Sequence, residues 1–165
     1  MERLKEALGF AVAALVLGSF LLLALPFIPF LLAYNYLEER QFQRRYQRFL
    51  LAANGTEFFC YNNRKSSVAF AQEQIVPLLE PAVRVVFVEG SAVRAGADKA
   101  FISRMLAGVQ ERKGFPYLLK IVDGQVLAYS VNNQFYNCLV QHKPLAPLLA
   151  TIHAFYQSPA LFLSK

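Results

Sequence analysis

Few side chains in this sequence could carry chemistry. There are two cysteines, Cys60 and Cys138, and two histidines, His142 and His153. Metal binding and thiol redox work need such groups at close, repeated spacing. The cysteines are far apart, and no CxxC pair or His/Cys cluster exists. No zinc or other metal site, no cofactor site and no disulfide framework is therefore expected. Lone histidines of this kind read as structural or solvated. Cys60 lies within the apolar run Glu57-Phe58-Phe59-Cys60-Tyr61 and reads as a small buried hydrophobe. A phosphatase loop is excluded, because the C-x5-R spacing counted from Cys60 puts Ser66 where the arginine would stand.

The second candidate is Arg64-Lys65-Ser66-Ser67, between a strand and a helix. A helix start offers free N–H groups and the positive end of the dipole, which favour anions. Ser66 and Ser67 are candidate caps, with Arg64 and Lys65 adding charge. Ordinary capping with solvated charges is the simpler reading. An acidic-ligand or peptide groove is the sharper one.

The elements that would position these residues follow from periodicity. Glu57–Tyr61 reads as a strand. Ser66–Leu79 reads as a helix with Val68, Ala71, Ile75, Leu78 and Leu79 on one face. Val83–Val88 is a nearly continuous apolar strand, as a buried parallel strand would be. Gly90–Gly96 reads as a loop, and Asp98 as the cap of a helix reaching Val109. Tyr117–Val122, Asp123-Gly124 and Gln125–Tyr129 form a hairpin, since Gly supplies positive φ in a two-residue turn. Val131–Lys143 reads as irregular or as a short extra strand. Pro144 suits the first turn of a last helix with Leu145, Leu148, Leu149, Ile152, Phe155 and Tyr156 on one face. Residues 158–165 read as a tail. The order is β-α-β-α-β-β-α, an α/β domain over 57–157 whose first two strands are parallel.

Gly114-Phe115-Pro116-Tyr117-Leu118-Leu119, followed by Asp123-Gly124-Gln125-Val126, resembles the segment of thioredoxin-like proteins that carries their cis-proline. The order of elements and the proline in the first helix, Pro77, resemble that family too. The resemblance implies a thioredoxin-like fold, a cis Phe115–Pro116 bond, and Phe115 and Pro116 facing the Arg64–Ser67 loop. The family's CxxC motif belongs at that loop, and both of its cysteines are missing here. That departure removes the usual dithiol exchange, which needs an attacking and a resolving thiol.

The N-terminal part is different. Ala7–Leu37 contains no charged residue, and it explains why the hydrophobic fraction of the chain, 56%, exceeds the usual ~45–50%. About 20 apolar residues cross a bilayer core. The run therefore reads as an uncleaved transmembrane anchor over 1–37, its core near Leu8–Leu32. Pro26 and Pro29 imply a kink or, as the alternative, a re-entrant hairpin. Arg40, Arg44, Arg45 and Arg48 follow the run, against Arg3 and Lys5 before it. The positive-inside rule then places the C-terminal domain in the cytoplasm. Residues 38–56 read as a basic juxtamembrane helix and linker. Phe42, Tyr46, Phe49 and Leu50 lie on one face, and the arginines on the other can meet anionic lipid headgroups.

The reading at this stage is a single-pass cell-membrane protein. Its partners are the lipid bilayer and a protein, with no nucleic acid, because the +6 charge forms no single stripe outside residues 38–56. Its domain is a non-catalytic binding or scaffolding module. The alternatives are a one-cysteine redox or glutathione-dependent enzyme using Cys60, and a structural subunit of a membrane complex.

Overall fold

A computed structural model describes residues 27–90, 92–110 and 113–162, together with Gly9, Leu15, Gly18 and Ser19. The chain divides into two compact units, Met1–Arg45 and Tyr46–Lys165. The division falls within α1, Ile28–Ala52, a helix of 25 residues.

The transmembrane anchor is corrected by α1. Among the described residues no helix is long and apolar enough to cross a membrane. The uncharged stretch Ile28–Leu37 is about half of the ~20 residues a span requires. Glu38, Glu39, Arg40, Arg44, Arg45 and Arg48 then continue the same helix. Most of Leu8–Leu32, Pro26 included, lies outside the described residues. Pro29 falls in the first turn of α1, where a missing N–H breaks no helical bond. The charge-based orientation rested on that span and has no support without it. Within the first unit, Gln43 Nε2 donates to Glu39 Oε1 at 2.7 Å, and the Arg40 guanidinium lies 5.6 Å from the Tyr36 ring.

The second unit is α/β. Its strands are β1 (Glu57–Asn62), β2 (Arg84–Glu89), β3 (Ala92–Arg94), β4 (Tyr117–Val122) and β5 (Gln125–Ser130). They form one mixed sheet in the order β3-β2-β1-β4-β5. β1 is parallel to β2, and every other neighbouring pair is antiparallel. The hairpin β4–β5 turns at Asp123 (φ 51) and Gly124 (φ 72), the positive-φ pair such a tight turn needs.

Alternation along β1 sends Phe58 and Cys60 to one face of the sheet and Phe59 and Tyr61 to the other. The Phe59 face is covered by three helices: α2 (Lys65–Phe70), α4 (Asn132–Gln141) and α5 (Ala146–Gln157). The Cys60 face is covered by the end of α1 through Leu50 and by α3 (Lys99–Ala107) through Ile102 and Met105. The expected face of α1 is used here: Phe49 stacks on Phe101 with ring centroids 4.8 Å apart, and Tyr46 lies at 6.2 Å.

Several elements differ from the sequence reading. Val131–Lys143 is mostly the helix α4, whose Phe135 and Cys138 face inward; His142, at φ 53, ends it in the left-handed region. The 90–96 loop contains β3, paired to β2. α2 keeps α-helical form only to Phe70, then passes through a π-helical turn (Ala71–Ile75) and a 3-10 turn (Val76–Leu78) that takes in Pro77. α5 begins two residues beyond Pro144, with Pro147 in its first turn. The tail includes a 3-10 turn, Pro159–Phe162, and Phe162 meets the Tyr129 ring edge-on at 4.8 Å. Asp98 does not cap α3 with its side chain; Oδ2 accepts from Arg84 Nη2 at 3.0 Å instead.

Phe135 is fully buried and Val140, on the same helix, is exposed. Phe135→Ala should cost about 3–5 kcal/mol of unfolding free energy, and Val140→Ala within about 0.5 kcal/mol. Urea denaturation followed by circular dichroism measures both. Equal, small losses would show that α4 is not a core element.

Candidate functional site

The register of β1 on β4 decides which candidates meet. Cys60 pairs with Tyr117, so Pro116 lies level with Tyr61, near the end of β1 that leads into Arg64. The Arg64 loop and the Pro116 loop are thus at the same end of the sheet. The Phe115–Pro116 bond is cis.

Around Pro116 the main chain is tied down. Ser130 Oγ donates to Gly114 O at 2.6 Å, and Asn132 Nδ2 donates to Phe115 O at 2.5 Å. Gly114 N–H donates to the Tyr117 hydroxyl at 3.0 Å. Gly114 has φ 98, and a Cβ there would sit 3.0 Å from Asn132 Nδ2. Only glycine combines that backbone with that approach. Pro116 is buried and Phe115 half-buried, its ring edge-on to Tyr117 at 5.0 Å.

Beside Phe115 opens a cleft of about 410 Å³. β2 and β3 contribute Val88 and Val93, α3 contributes Ser103 and Leu106, and Phe115 and Tyr117 close the side toward β4. Among the described residues that line it there is no Cys, His, Asp, Glu, Lys or Arg. The described lining adds two side-chain hydroxyls, those of Ser103 and Tyr117, and that of Tyr117 accepts a bond from Gly114 N–H. Such a surface can hold an apolar side chain and can fix its backbone.

The other candidates divide. Arg64 occupies the N-cap position of α2 without a side-chain bond, and its guanidinium lies 6.0 Å from the centre of the Tyr136 ring, on α4. Lys65 and Ser66 are exposed. Ser67 is buried, and its Oγ donates back to Arg64 O at 2.9 Å. Neither serine caps the helix as expected, because both lie inside its first turn and a cap must precede it. Of the six binding candidates only Phe115 lines the cleft. Val88, Val93 and Leu106 were missed because they read as ordinary apolar positions. Only the contact order of the finished sheet shows that their ends are left uncovered.

Both thiols lie inside the second unit, on opposite faces of the sheet. Cys60 is completely buried, and burial pushes its thiol pKa far above the ordinary range, so thiolate is strongly disfavoured. Burial also raises Cys138, against a smaller lowering by Lys143, and its Sγ lies 3.4 Å from Pro144 O. Tyr156 is raised by burial, with the Cys60 and Glu57 charges adding to it; its hydroxyl donates to Phe58 O at 2.9 Å. Burial of this kind works against a reactive Cys60.

No family model, curated protein or solved structure matches the chain.

The thiols set a pH dependence. A neutral acid whose folded pKa is raised favours folding below its unfolded value, and that stability is lost as pH rises above it. The unfolded cysteine value is about 8.5. Unfolding free energy should therefore fall above about pH 8.5, by up to about 1.4 kcal/mol per pH unit for each such group. Cys60→Ala should reduce this slope in denaturation series at stepped pH. A slope unchanged by the substitution would mean that Cys60 is not titrating on unfolding.

Proposed function

We propose that the second unit is a thioredoxin-like binding module without dithiol chemistry, which takes an apolar side chain of a protein partner in the cleft beside Phe115. The strand arrangement supports the family part of this reading: β1 parallel to β2, with an antiparallel hairpin added on the other side of β1, is what the resemblance implies. The binding part rests on one observation, an open apolar cleft at the sheet end where Phe115 meets the ends of β2 and α3. An extended segment with one large aliphatic or aromatic residue fits its chemistry. Burying such a side chain contributes roughly 1.5–3 kcal/mol, which gives weak, readily reversed binding unless main-chain bonds add to it. A scaffolding module works in that range.

Two measurements test this. Peptides selected by display on the intact protein should shift amide resonances around Val93, Leu106 and Phe115. Ala107→Phe, at an exposed cleft position, should weaken them at least tenfold while leaving the circular dichroism unchanged. Shifts that cluster elsewhere, or binding unaffected by the filled cleft, would reject the site. In an insulin-reduction assay with dithiothreitol the protein should add no turnover above background. Turnover abolished by Cys60→Ser would overturn the non-catalytic reading.

A further inference from the structure

The sheet has two edges, and they are built differently. β3 is three residues long and carries Arg94, which is ion-paired with Glu89 of β2. Short length and charge are the usual ways to keep an edge from pairing. β5 is six residues, Gln-Val-Leu-Ala-Tyr-Ser, with no charge and no proline.

The direction of its free groups follows from the hydrogen bonds. Ile121 N–H donates to Thr56 O at 3.1 Å, and Ile121 O accepts from Gly55 N–H at 2.8 Å, so both groups point away from β5. Val131 N–H donates to Pro116 O at 3.1 Å, in the same register one step beyond the strand. Bonded and non-bonded pairs alternate in an antiparallel ladder. Val126 and Ala128, opposite Ile121 and Leu119, therefore aim their N–H and C=O outward. Among the described residues no hydrogen bond to these groups is found. Their side chains pack inward on the Cys60 face, and those of Leu127 and Tyr129 pack on the other, so only the edge itself is open.

We infer that β5 pairs antiparallel with β5 of a second copy of this chain, making one continuous sheet across a two-fold axis. The strand is complementary to itself. With the axis at Leu127, Val126 of one copy exchanges main-chain bonds with Ala128 of the other, and the two Leu127 side chains meet in a non-hydrogen-bonded pair. No like charges are brought together, which a charged edge would not permit. The contact is isologous and closes at two copies. This inference is independent of the cleft.

The full chain should sediment as a dimer whose population rises with concentration. In hydrogen exchange, the Val126 and Ala128 amides should slow as the dimer forms. Ala128→Pro removes an outward N–H and no bond to β4, so it should halve the mass while retaining the folded spectrum. Leu127→Cys should give a covalent dimer on mild oxidation, because Cα atoms in such a pair lie about 4.5 Å apart; Gln125→Cys should not. A chain that stays monomeric at every concentration overturns the inference. So does a dimer in which both amides exchange as fast as in dilute solution, or one that survives Ala128→Pro. Protection that appears only with an added peptide, on a monomeric chain, would give the edge to another protein's strand instead.

Discussion

β1 is hydrogen-bonded on both sides and buried on both faces, and everything else in the second unit is placed by that double burial. Its parallel partner β2 requires a crossover, which α2 and its π and 3-10 turns supply. Its antiparallel partner β4 brings Pro116 level with Tyr61. Phe58, Phe59 and Cys60 have no exposure at all, so each face must be closed by helices before any of the three is out of water. Removing one covering helix would expose part of this aromatic surface to water.

The same constraint sets the surroundings of Cys60. A thiol at that level of a central strand is held away from water and from any helix start. The end of the sheet beyond it is where side chains regain access. There the chain places the Gly114–Pro116 turn, fixed by Ser130 and Asn132, and the apolar cleft next to it. Fixed main chain and an open apolar hollow thus lie side by side at this end.

Legibility in the sequence followed the strength of local signals. The β4–β5 hairpin was readable to within one residue, Ser130, because Asp123-Gly124 is a strong signal for a tight turn. β1 and β2 were readable from continuous apolar runs, and α3 and α5 from apolar residues at helical spacing. α4 was not: Asn132, Asn133 and Asn137 are poor helix formers, and its helicity depends on Phe135 and Cys138 reaching the core. β3 was hidden because a three-residue strand has no period to detect. The N-terminal run was misread because an uncharged stretch was treated as one spanning element. α1 instead begins inside that run and passes directly into charged residues. The cleft was legible only at Phe115, since a hollow is defined by what fails to cover it.

The Tyr156 hydroxyl reaches the carbonyl of Phe58 across a separation of 98 residues, and Lys120 binds both Glu57 and the Tyr156 carbonyl. The last helix thus completes the first strand. During synthesis, β1 leaves the ribosome long before α5 exists, and its Phe59 face then has only α2 and later α4 to cover it. Contacts that close over such long loops come late and slowly. The nascent chain must therefore carry an unsealed aromatic strand until nearly the whole domain has emerged, the interval in which exposed apolar surface favours aggregation.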